Sequence, residues 1–173
     1  MAMKVSELQS AFLQNLQVLL PDWRFISSAR HFRKACAPHT WLFHVSCINH
    51  ANDFDAVGNV AVEYMSGRKR IAVVGASLGN IEGLGQARHL VSTLKGGIQS
   101  AKNLHAQFER VGIPFLERYS SPAAALGALQ GGGPEALLVS PLQNLHQEQI
   151  QALLALGEPS NNSFKPTPLR GAA

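Results

Sequence analysis

Residues 41–48 read Trp41-Leu42-Phe43-His44-Val45-Ser46-Cys47-Ile48, with Trp41, Phe43, Val45 and Cys47 on every second position. A period of two marks a strand, because successive side chains leave a pleated backbone on opposite sides. The same period returns at Val60, Val62 and Tyr64, which alternate with Ala61 and Glu63, and a third strand follows over 70–74. Ser66-Gly67 breaks the pattern as a turn. Weaker strand signals over 23–26 and 30–34 suggest one further hairpin. The connections are short and parallel strands need long crossovers, so the expected sheet is antiparallel with about 4–5 strands.

On either side of the strands the period becomes helical. Val5, Leu8, Phe12, Leu16 and Leu19 share one face over 5–20, and Pro21 stops that helix. Ile98, Ala101, Leu104, Phe108 and Val111 form a second stripe, which Gly112 and Pro114 are expected to end. Ser121-Pro122 pairs an N-cap with proline at the first helical position, opening a short helix over 124–129. Gly131-Gly132-Gly133-Pro134 breaks it, and 137–139 reads as a short strand. Ser140-Pro141, with Gln143 three residues after the cap, opens a last helix to about 156. Helix, strands, then helices is the α+β pattern, with the C-terminal helices on one face of the sheet. A single domain is expected over 1–157. The remainder, 158–173, lacks periodicity, holds Pro159, Pro166 and Pro168, and is expected to be a disordered tail.

Composition narrows the function classes. The chain has 173 residues, 46% of them apolar and 15% charged, a balance that folds without disulfides or metals. No apolar run is long enough for a membrane span, and MAMKVSELQS offers no apolar core for a secretory signal. Two cysteines, Cys36 and Cys47, make no disulfide framework, so a cytoplasmic setting is expected. The formal charge is +4, and Lys165 and Arg170 in the tail supply half of it. Two basic clusters remain in the body: Arg30, Arg33 and Lys34, and the run Arg68-Lys69-Arg70. They are sparse for a nucleic-acid footprint, and a solvated hairpin tip and strand edge is the simpler reading.

Several motifs bear on chemistry. Gly75-Ala76-Ser77-Leu78-Gly79 spells G-x-S-x-G directly after a strand, as in a hydrolase elbow. Catalysis would need a base from His89, His105 or His146, with His146 the preferred candidate, and an acid such as Glu117 or Glu135. Gly83 and Gly85 weaken the helix an elbow requires, and a Gly-rich turn is the simpler reading. No phosphate-loop spelling is present. Cys36, Cys47, His31, His39, His44 and His50 match no zinc spacing, and alternation places His44 and Cys47 on opposite faces. No metal or cofactor is therefore expected. Asp53 and Asp55 read as turn residues, and Trp23, Trp41 and Tyr64 as core aromatics.

Two resemblances add to this reading. The run Asn161-Asn162-Ser163-Phe164-Lys165-Pro166-Thr167-Pro168-Leu169-Arg170-Gly171-Ala172-Ala173 resembles a translated integron recombination site, which implies the product of a bacterial integron gene cassette. Within the body, residues 41–49, 73–83 and 111–121 resemble a group of bacterial immunity-type proteins found beside polymorphic toxins. That resemblance implies a protein partner, a toxin or effector, and carries no catalytic motif. The expected function is therefore non-catalytic binding that occludes a partner, with Arg30, Arg33, Lys34, Arg68, Lys69 and Arg70 as contact residues. A hydrolase using Ser77 with His146 is the alternative, and nucleic-acid binding the third reading. Pairing of exposed sheet edges would give a homodimer.

Overall fold

The computed structural model describes residues 3–157. The resemblance in 161–173 and the disorder expected over 158–173 lie outside them. Helix α1 (Val5–Leu19) buries Leu8, Phe12 and Leu16 along the predicted stripe. The Glu7 carboxylate accepts from the Lys4 N–H at 3.0 Å and caps its start. Strand β1 (Arg24–Ile26), a 3₁₀ turn (Ser27–Ala29) and β2 (His31–Cys36) form the first hairpin. The long strands β3 (His39–Asn49), β4 (Phe54–Ser66) and β5 (Lys69–Ser77) then form an antiparallel meander. Helix α2 (Leu78–Glu82) follows, and β6 (His89–Val91) pairs with the start of β4. The architecture is α+β with a six-stranded sheet, one strand more than the alternation revealed.

Register shows how the sheet divides its two faces. Phe32, Phe43, Val60 and Ala76 lie in one row across β2, β3, β4 and β5, and all are buried. The neighbouring row is His31, His44, Asn59 and Ser77, all only half-buried. The helices pack on the first face. Phe43 stacks on Phe108 with centroids 4.3 Å apart, and Phe12 meets Phe54 edge-on at 5.7 Å. The expected core aromatics sit here too: Tyr64 is buried and donates to the Tyr119 carbonyl, while Trp41 donates to Ser120 Oγ at 2.8 Å.

The C-terminal half corrects two expectations. Gly112 and Pro114 do not end the helix. Helix α3 (Leu94–Gln107) runs through a π-helical turn (Phe108–Gly112) into α4 (Ile113–Tyr119), whose first turn accommodates Pro114. Residues 137–139 are not a strand but the end of α6 (Gly133–Val139), which buries Ala136 and Val139. A three-residue apolar run fits either period, and Pro134 in the first helical turn decides it. Helix α5 (Pro122–Gly131) starts at the Ser121 cap as expected. The last start signal becomes a 3₁₀ turn (Gln143–Leu145) and α7 (His146–Gly157), and Gln149 donates to the Val73 carbonyl on the β5 edge at 3.0 Å. That contact covers backbone that would otherwise invite pairing.

Gly127 sits exposed in mid-α5 with open space where a Cβ would go. Gly127→Ala should therefore stabilise the fold by about 0.5–1 kcal/mol, read as a higher urea midpoint at unchanged slope.

Candidate functional site

The face turned away from the helices holds the charge. Glu63, on β4, points to this face yet is only 4% exposed. Arg33 of β2 donates to one carboxylate oxygen at 2.6 Å and Arg70 of β5 to the other at 3.3 Å. Two guanidinium groups, from strands on either flank of the β3–β4 pair, therefore converge on one carboxylate and cover it. Arg24 lies opposite Arg33 in the register, and Arg68 and Lys69 extend from the β4–β5 turn, where Gly67 takes φ 60°. The two basic clusters of the sequence thus meet through an acid that neither contains.

Lys34 does not join them. Its position is on the helix-covered face, with Nζ 5.9 Å from the Trp23 ring centroid, a cation–π contact. Arg30 sits beyond the end of β2 in a left-handed conformation (φ 49°), and its carbonyl accepts from Val45. Of the expected contact residues, Arg33 and Arg70 are joined through Glu63, Arg68 and Lys69 flank them at the β4–β5 turn, and Lys34 and Arg30 stand apart.

Beside this patch lies the polar row. The His31 and His44 positions are paired across β2 and β3, and Asn59 donates to Ser46 Oγ at 3.1 Å. Burial, then the neighbouring His31 and Arg30, hold His44 below its ordinary value of 6.5. Burial and Arg33 lower His31, with Glu63 opposing. A base lowered by folding binds fewer protons in the native state than in the unfolded chain. The stability these imidazoles contribute is present above about pH 6.5 and falls away as pH drops through their folded values. Urea unfolding at pH 7.5 and 5.5 should show the loss, and His44→Gln should reduce it.

The hydrolase elements do not assemble. Ser77 Oγ accepts from the Asn80 N–H at 3.2 Å and serves as the N-cap of α2, while Gly83 closes that helix at φ 75°. The three candidate bases are engaged elsewhere: His89 with Gln107 at 2.9 Å, His105 near Glu109 at 3.6 Å, and His146 with the Ser140 carbonyl at 2.7 Å. Because Gln107 donates its amide to Glu82, its oxygen accepts from His89 Nε2–H. Glu135 is held by Arg118 at 2.6 Å and by the Tyr119 hydroxyl at 2.8 Å. Burial, then that carboxylate, pushes Tyr119 up to about 12, so it remains a phenol. No Ser–His hydrogen bond involves Ser77 among the described residues. The chain matches no protein-family model, no curated protein and no solved structure. The local geometry therefore carries the reading of Ser77: Ser77→Ala should cost about 1 kcal/mol as a lost cap, measured by thermal unfolding.

No group of three or more His, Cys, Asp or Glu converges to hold a metal among the described residues. Asp55 accepts from Arg88 at 3.5 Å and lies 3.1 Å from His50, so it works in an ion pair rather than with Asp53. No helix among them is long and apolar enough to cross a membrane. Sequence reasoning missed Glu63. The available signal was an acid at an outward position of an alternating strand, with arginines on the adjacent strand β5 and on β2 one strand further away.

Proposed function

We propose that this chain is a non-catalytic binding protein that occludes an acidic protein surface with the helix-free face of its sheet. The observation that carries the reading is the Arg33–Glu63–Arg70 clasp. A guanidinium held by a buried carboxylate has less conformational freedom left to lose on binding. Arginines fixed in this way are suited to act as interface anchors. Arg24, Arg68 and Lys69 leave the patch cationic around its single buried acid, which favours an acidic partner and speeds encounter. The immunity-type resemblance supports the same class and makes a toxin or effector the expected partner. Free Cys36 and Cys47 suit work in a reducing cytoplasm.

Reconstitution tests the reading. The full chain and Arg68→Glu/Lys69→Glu serve as paired baits, and each recovered protein is purified and titrated against both. The proposal requires a stoichiometric complex with an acidic protein whose Kd rises about tenfold or more on charge reversal and weakens with salt. A partner that binds both forms equally, or a partner that is a nucleic acid, removes it.

A further inference from the structure

A second feature lies on the helix-covered side of the sheet. Where β3 begins, the sheet end and the α4–α5 junction leave a cavity of about 200 Å³. Pro38, His39, Tyr64, Met65, Ser120 and Leu156 are among its lining residues. None is an acid or a lysine or arginine, so the cavity offers no full charge to a ligand beyond what the imidazole could carry.

The polar groups there are unequally occupied. The Tyr64 hydroxyl donates to the Tyr119 carbonyl. Ser120 Oγ donates to the Leu116 carbonyl at 2.6 Å and accepts from the Trp41 indole at 2.8 Å. The half-buried His39 ring makes no side-chain hydrogen bond with the described residues, which leaves one ring nitrogen a donor and the other an acceptor for water or a ligand. Burial lowers its pKa, which favours the neutral ring. The imidazole is also oriented. It stacks on Trp41 at 6.4 Å and 26°, and Trp41 stacks in turn on Trp23 at 6.3 Å. Trp41 does not line the cavity, so the cavity meets His39 at its edge or on the ring face turned away from that stack.

Size limits the occupant. An apolar cavity of about 150 Å³ holds benzene. The present cavity therefore fits one substituted ring and excludes a nucleotide or a peptide segment. We infer that this cavity is a binding site for a small, uncharged, one-ring compound bearing a single hydroxyl or N–H group, which His39 recognises. The site is separate from the cationic face proposed above in its residues, since the two share none, and it adjoins that face at the sheet end, where Met65 pairs with Arg70.

The test uses the full chain with 4-methylphenol, toluene and 4-methylbenzoate as probes. Saturation-transfer NMR and Trp fluorescence should report 4-methylphenol binding with a Kd on the order of 0.1–1 mM. Toluene should bind about tenfold more weakly, because it cannot use the His39 hydrogen bond, and 4-methylbenzoate should be rejected. His39→Phe keeps an aromatic ring on Trp41 and should abolish the preference for the phenol. Leu156→Trp fills the cavity and should abolish binding of both neutral probes. Should that variant not fold, an NOE from the Met65 ε-methyl to the bound ring of 4-methylphenol locates the probe in the wild-type protein. Absence of saturable phenol binding overturns the inference. So does equal affinity for phenol and toluene, or binding without contact to Met65.

Discussion

Gly79→Ala is expected to cost about 3 kcal/mol of folding stability, at the upper end of ordinary overpacking. An added Cβ would stand 1.9 Å from the Gly85 carbonyl oxygen and 2.5 Å from the Ala87 nitrogen. Both are backbone atoms, so no rotamer change can make room. The loop from α2 to β6 would have to move, and Leu84 N–H, which donates to the Gly79 carbonyl at 3.0 Å, would move with it. Gly79 needs to be glycine for close approach and not for a left-handed backbone, since that conformation falls to Gly83 and Gly85. Gly75, the first glycine of the motif, is also crowded, with the Val60 carbonyl oxygen 2.5 Å from its added Cβ. Chemical denaturation of Gly79→Ala beside Ser77→Ala separates the two explanations of the G-x-S-x-G spelling. Packing predicts a large loss for the glycine and a loss of about 1 kcal/mol for the serine. A glycine substitution that leaves stability untouched would show that the loop relaxes freely.

The contrast between motif and structure shows what the residues alone make legible. Strand β3 was readable because Trp41, Phe43, Val45 and Cys47 report both the element and its buried face. The same holds for α1, whose stripe became Leu8, Phe12 and Leu16 in the core. Strand β6 was not readable, since three residues give no period, and its pairing depends on β4 extending past the end of β5. The helix continues through Val111-Gly112 and Pro114 because packing outweighs local breaker chemistry. A Cβ at Gly112 would meet Phe108 Cδ2 at 2.7 Å and Leu78 Cδ2 at 3.0 Å, so the glycine lets α3 and α4 approach α2. The basic clusters were visible as composition. Their union was not, because it depends on register: β2 and β5 flank the β3–β4 pair so that Arg33 and Arg70 reach Glu63 from two sides. Sequence proximity likewise joined Lys34 to Arg33, although the pleat sends neighbouring side chains to opposite faces.

Removing both guanidinium groups from Glu63 is the other substitution expected to have a large effect. Breaking a buried ion pair by deleting one partner typically costs about 3–5 kcal/mol, because a charge is left without compensation. Here the side chains of Arg33 and Arg70 are 35% and 62% exposed, so truncating them also admits water to the carboxylate. The expected cost of Arg33→Ala/Arg70→Ala is therefore at the lower end, about 3 kcal/mol. The single variants should each cost about 1 kcal/mol, since the remaining arginine still covers one oxygen. The double variant should then lose more than the sum of the singles, a coupling that a double-mutant cycle in urea measures directly. Additive losses would mean that each arginine acts alone and that Glu63 does not organise the patch. Arg68→Ala/Lys69→Ala is the matched control. It removes as many cations from an exposed turn and should change stability by no more than about 0.5 kcal/mol. Together the two double variants separate the patch's structural role, carried by the clasp, from its electrostatic role toward a partner, carried by the turn. A binding loss in the turn variant at unchanged stability would then report on recognition alone.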